Sequence, residues 1–171
     1  MEIITANKEF DEEQMHLDLM LLGVYIFHDP TMESIVDPET IEWEVALPHH
    51  GIAKNHPAAQ FFAESQIPKF ANYYSQLTPM EPVLYYGVDD GVGIWHTDAR
   101  EKLGIQVMCY QEDFTVDDGG SIRVKCYDGV ERWYYPKNGD VLVLNHHTDT
   151  THMVEKIMCD KKRIAMNLKF K

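Results

Sequence analysis

The sequence predicts a mainly β domain, a sandwich or barrel of about eight strands covered by N-terminal helices. Three observations carry that expectation. Seven short runs rich in β-branched and aromatic residues crowd the second half of the chain, turn-forming residues punctuate them at near-regular spacing, and helical spacing of apolar residues is confined to the first half. At 171 residues and 44% hydrophobic, the chain is long enough to bury a core as a single domain over 1–171. Residues 1–80 read as mixed helical and strand support, and 82–170 as the β-sandwich.

Between 7 and 26, Met15, Leu19, Leu22 and Ile26 recur at helical spacing and Asn7 can cap the start, so a helix is expected there. In "IEWEVAL", Ile41, Trp43, Val45 and Leu47 alternate with Glu42 and Glu44, the pattern of a half-buried strand. The stretch 57–77 is rich in helix formers and interrupted by Pro68, which predicts two short helices or one kinked helix. After Pro82 come "VLYYGV", "GIQVMCY", "SIRVKCY", "ERWYY", "DVLVLN", "HMVEKIM" and "RIAMNLKF", separated by "DDG", "DDGG", "YDG" and "KNGD". In the last run Arg163, Ala165 and Asn167 share one face, and Ile164, Met166 and Leu168 the other. That pattern suits a strand covered by helices on one side and bordering a polar cavity on the other.

Composition narrows the function. A formal charge of −13 works against phosphate backbones despite a local cluster of Lys161, Lys162, Arg163, Lys169 and Lys171, so nucleic acid is a poor partner. Cys109, Cys126 and Cys159 lack paired CxxC spacing and read as reduced thiols. The N-terminus is acidic where a secretory signal would be basic, and the longest apolar run, "LMLLGVYIF", is too short to cross a bilayer; the expectation is a cytoplasmic protein with no membrane association.

Three HxD triplets occur: His16/Asp18, His96/Asp98 and His147/Asp149. An iron site of two histidines and one carboxylate occupies one octahedral face and leaves positions open, so in a sandwich its third ligand should come from a second, distant strand. His16/Asp18 sits in the first helical stretch. His147/Asp149 has only His152 after it, which would crowd three ligands onto one loop. His96/Asp98 follows a Gly-rich turn, precedes a strand run, and has His146, His147 and His152 downstream. His152 begins a strand run, and Arg163 opens the next one eleven residues later.

These residues carry a resemblance. "YYGVDDGVGIWHTD", "VMCYQEDFTVDDGGSIRV" and "GDVLVLN…HMVEKIMCDKKR", in that order over about 82–170, resemble the Fe(II)- and 2-oxoglutarate-dependent dioxygenases, most closely their prolyl-hydroxylase-like branch. The resemblance implies a double-stranded β-helix, a jelly-roll or cupin-like sandwich with supporting N-terminal α-helices, and an enzyme whose catalytic core is 82–170. It implies His96, Asp98 and His152 as the catalytic iron ligands, and Arg163 as the partner of the far carboxylate of 2-oxoglutarate, with Lys162 as its rival. The planar guanidinium fork suits a buried carboxylate. Tyr86, ten residues before His96, resembles a tyrosine that hydrogen-bonds around the cosubstrate, and Tyr110 and Asn167 are further cavity candidates. Trp95 either narrows the pocket or packs in the core. The implied reaction consumes O2 and hydroxylates a C–H bond, most readily of a peptidyl proline or other amino-acid substrate, releasing succinate and CO2, with ascorbate in support. Its partners are then a small molecule or a peptide; the oligomeric state is left open. Two other readings of the same residues are a cupin-type metalloenzyme that does not use 2-oxoglutarate and a metal-free β-sandwich binding module.

Overall fold

The helix expected over 7–26 is interrupted: α1 (Glu12–Leu21) is followed at once by strand β2 (Val24–His28). Asp11, not Asn7, caps α1, its carboxylate accepting from the Gln14 amide at 3.0 Å. Gly23, at φ +78°, turns the chain out of the helix in a conformation that Ile or Leu would resist. The run "VYIFH" is buried on both faces, so its apolar residues continue the helical spacing by coincidence. Asn7 instead forms a parallel bridge to Phe27, and its side-chain amide donates to the Ile26 carbonyl. A short strand, β1 (Glu2–Ile4), precedes it.

The computed structural model describes residues 1–46, 50–71, 77–87, 93–97, 104–146 and 150–171. Only β3 (Val45–Ala46) of the expected strand at 41–47 is paired in the sheet, and Leu47 lies outside the described residues. The alternation still sorts burial, because Ile41 and Trp43 pack against the core while Glu42 and Glu44 are exposed. β4 (His50–Lys54) follows, then α2 (Pro57–Ala71), one continuous helix that carries Pro68 inside it. All seven later runs form strands: β5 (Val83–Gly87), β6 (Ile105–Tyr110), β7 (Ile122–Lys125), β8 (Glu131–Tyr134), β9 (Asp140–Asn145), β10 (Thr151–Val154) and β11 (Arg163–Phe170).

Among the described residues the strands make two sheets, one of seven in the order β2-β9-β6-β11-β5-β4-β3 and one of four in the order β1-β8-β7-β10. The larger sheet has two unlike faces. Outward, Val107, Cys109, Ile164, Met166 and Leu168 form one core with Met15 and Leu19 of α1 and Phe62 and Phe70 of α2. Inward, Leu142, Leu144, Tyr110 and Ala165 meet Ile122, Val124 and Tyr134 of the smaller sheet. This is the double-stranded β-helix expected from the sequence, with its helical cover on one side. Burial drives the Cys109 thiol far above its usual pKa; Cys109 and Cys126 are buried free thiols and Cys159 is half-buried and free. No described helix is long and apolar enough to cross a membrane.

Candidate active site

Residues of both sheets line a cavity of about 700 Å³. Strand alternation decides which residues reach it. From β11 come Arg163, Ala165, Asn167 and Lys169; from β6, Gln106, Met108 and Tyr110; from β5, Val83 and Tyr85. The smaller sheet adds Ile122, His152 and Val154, and the segment before the expected HxD pair adds Ile94, His96 and Thr97. The β11 face that the sequence marked as polar is the cavity face.

His96 and His152 meet across a backbone bridge. The His96 amide donates to the His152 carbonyl at 3.0 Å and the His152 amide donates back at 2.9 Å, so the two residues stand directly opposite one another. Opposed residues project to the same side, and the two imidazole rings lie 4.3 Å apart between centroids. His96 Nδ1 is 2.9 Å from the Ile94 carbonyl oxygen. A carbonyl can only accept, so Nδ1 carries the proton. Metal-binding histidines are commonly oriented in this way by a backbone carbonyl.

Arg163 is 4% exposed, and its Nη1 donates to the Gly120 carbonyl at 3.1 Å. The "DDGG" turn delivers that carbonyl. Gly119 and Gly120 sit at φ +68° and +69°, and a Cβ on Gly120 would press on Phe114 at 2.9 Å and on Ile157 at 3.0 Å. Lys162 turns the other way, its Nζ 5.1 Å from the centroid of the Tyr86 ring. Between the two rivals for an anionic ligand, Arg163 alone lines the cavity.

Tyr86 is a correction. It belongs to the helix-side core, where its ring packs edge-on against Trp43 at 4.5 Å, and it does not line the cavity. Its neighbour Tyr85 does. The register explains this: Tyr85 pairs with Ala165 of β11 and Tyr86 with Ile164, and paired residues share a face. Trp95 neither fills the core nor narrows the pocket. It lies partly exposed against the Arg123 guanidinium at 5.6 Å, and Trp133 flanks the same guanidinium at 4.5 Å. His16, on α1, sits 3.8 Å from Glu12 and is not among the residues lining the cavity.

Asp98, His147 and Asp149 lie outside the described residues. Among the described residues no group of three His, Cys, Asp or Glu side chains is arranged to hold a metal. The described part of the donor set nevertheless suits one: two touching imidazoles, one with its tautomer set by a carbonyl, stand beside a buried guanidinium in one cavity. Tyr110 and Asn167 line that cavity as expected. Gln106 was not anticipated, nor was its contact with His146, one of the three downstream histidines. Gln106 is buried on β6, and His146 Nε2 lies 2.9 Å from its Oε1. A lone glutamine in the otherwise apolar run "GIQVMCY" was the available signal.

No family model matches the sequence, and no curated protein matches it either. Solved structures do match. An oxidoreductase of the 2OG-Fe(II) oxygenase family from Burkholderia pseudomallei aligns over 100% of this chain and 95% of its own, with a TM-score of 0.73 and 13% identity. A Pseudomonas putida prolyl-4-hydroxylase aligns over 94% of this chain and 98% of its own, with a TM-score of 0.64 and 15% identity. A Trichoplax adhaerens prolyl hydroxylase, solved in complex with a hypoxia inducible factor peptide fragment, aligns over 93% and 88%, with a TM-score of 0.68 and 13% identity. The two facing sheets, their helical cover and the cavity between them are therefore built on the fold of the 2-oxoglutarate and iron oxygenases.

Proposed function

We propose that this chain is an Fe(II)- and 2-oxoglutarate-dependent oxygenase that hydroxylates a C–H bond of a peptidyl proline or another amino-acid substrate, releasing succinate and CO2. The observation that carries this reading is the contact between the His96 and His152 rings in a cavity that also holds the buried Arg163. The shared fold supports the oxygenase class, and the solved prolyl hydroxylases, one of them with a peptide, support the substrate class.

His96 and His152, with Asp98, would hold the iron. When bound, ferrous iron and 2-oxoglutarate together supply oxygen activation, the keto acid leaving as succinate and carbon dioxide. The side chains do the rest. Arg163 offers a planar fork to the distal carboxylate, and its bond to Gly120 holds that fork in place, so little rotamer freedom is lost on binding. Tyr85 and Tyr110 bring hydroxyls to the same cavity. Met108, Ile122 and Val154 line its walls with apolar surface, which excludes water and strengthens the pairing of Arg163 with an anion. Substrate enters where Glu81, Ile94 and Thr97 are exposed at the rim.

The test is anaerobic addition of Fe(II) and 2-oxoglutarate to the whole chain. A visible charge-transfer band from the chelate is expected, absent in His152→Ala, followed by succinate release in a screen of proline-containing peptides and free amino acids. Folded wild-type protein without the band defeats the proposal. A band without turnover on any peptide or amino acid defeats only the substrate class.

A further inference from the structure

Burying an amide between two sheets is costly unless its polar atoms are satisfied, and Gln106 is 2% exposed on the inner face of β6. Its carbonyl oxygen receives the His146 Nε2–H at 2.9 Å, and its amide nitrogen points toward Asn167 Oδ1 and Met108 Sδ, both at 3.5 Å. Gln106 pairs with Leu144 across β6 and β9, which brings its side chain beside the chain two residues further on. His146 is itself 6% exposed, and its backbone amide donates to the Gly104 carbonyl at 3.0 Å. The His146 backbone is thus tied to Gly104, and its ring to the Gln106 side chain through Nε2.

That fixed ring abuts the proposed iron ligand. The centroids of His146 and His152 are 6.1 Å apart, and those of His152 and His96 4.3 Å, so His152 has two other imidazoles beside it. The backbone bridge to His96 sets where His152 begins, and the His146 ring lies beside its imidazole. We propose that His146, held by Gln106, is a positioning residue that fixes the orientation of the His152 imidazole for metal binding. This inference rests on His152 being a metal ligand, as proposed above.

The experiment titrates the whole chain with Co(II) alone and reads affinity and the visible d–d spectrum. Wild type is expected to bind cobalt with an absorption typical of imidazole and carboxylate ligation. Gln106→Leu removes the acceptor and His146→Phe removes the donor while keeping a ring; each should weaken cobalt binding by about 10- to 100-fold, the range seen when partners of ligating histidines are lost, and should shift the d–d bands. Gln106→Glu retains an oxygen acceptor and should rescue the wild-type spectrum. Wild-type affinity and spectrum in both Gln106→Leu and His146→Phe overturn the positioning role and leave the oxygenase reading standing. A wild-type chain that binds no cobalt overturns both. Should the two variants not fold, nitrogen-15 histidine spectra of wild type decide the point. A slowly exchanging His146 Nε2 proton is expected, and exchange as fast as in free imidazole overturns the inference.

Discussion

The two faces of β11 divide the labour of the molecule. Ile164, Met166, Leu168 and Phe170 face the helices and are buried in the apolar core, whereas Arg163, Ala165, Asn167 and Lys169 face the cavity. One strand of eight residues therefore supplies core packing from one side and a cavity wall from the other. The two jobs are separable because consecutive side chains of a strand point to opposite faces. A substitution on one face should leave the other face's task intact, and that separation can be tested by degrees.

The largest effect is expected on the helix side. Leu168 is fully buried, and Leu168→Ala should cost about 2–5 kcal/mol of unfolding free energy in urea titration, through lost transfer energy and a residual cavity. The folded fraction should bind 2-oxoglutarate as wild type does. On the cavity side, Arg163→Met removes the guanidinium proposed to hold the distal carboxylate, a charge-assisted contact worth about 1.5–3 kcal/mol, so 2-oxoglutarate should bind about 10- to 100-fold more weakly in calorimetry. Lys162→Met, one residue away on the opposite face, should leave that affinity unchanged. Equal losses in both variants would break the comparison.

The neighbouring tyrosines sharpen it further. Tyr85→Phe should weaken cosubstrate binding by about 2- to 10-fold, the worth of one neutral hydrogen bond, and Tyr86→Phe should not. The reverse result would mean that the face assignment of β5 is wrong. The smallest effect lies at the far edge of the same sheet, where His28 of β2 sits 3.0 Å from Asp140 and 2.9 Å from Glu33. Burial works against its charge, but hydrogen bonds to the two carboxylates outweigh burial and raise its pKa above the ordinary 6.5. The protonated ring is favoured in the folded state, so its stabilisation is complete below pH 6.5 and is lost as pH rises through the raised value. Thermal melts should show Tm falling over that window in wild type, with a shallower slope in His28→Gln and no change in the cavity's ligand affinity.

Legibility in the sequence followed locality. The seven runs after Pro82 all became strands, since each carries its own turn residues and apolar spacing. The first half was harder. "VYIFH" is apolar throughout, so helical spacing ran on into it until Gly23 broke the helix. β4, "HGIAK", has no alternation to announce it, and its pairing with β5 is what makes it a strand. Pro68 did not end α2, because tertiary packing of Phe62 and Phe70 on the sheet offset a local preference. At the site, strand alternation placed Arg163 on the cavity face of β11, whereas the meeting of His96 with His152 rests on a pairing between distant segments. Tyr86 was misplaced because counting back from His96 crosses residues between the two, whereas the register of β5 on β11 sets which tyrosine faces inward. His146 stood undistinguished in "NHHTDTTH", and only its bond to a glutamine on another strand singles it out.

Local chemistry in the chain was enough to specify a β-rich domain, the positions of its later strands, and a final strand with one apolar and one polar face. Those are properties of period and turn, which each short segment carries within itself. Which of two adjacent residues meets the cavity, and that two distant histidines touch there, came from hydrogen-bonded register between strands. Register is a relation between segments, and a shift of one residue in it exchanges the two faces.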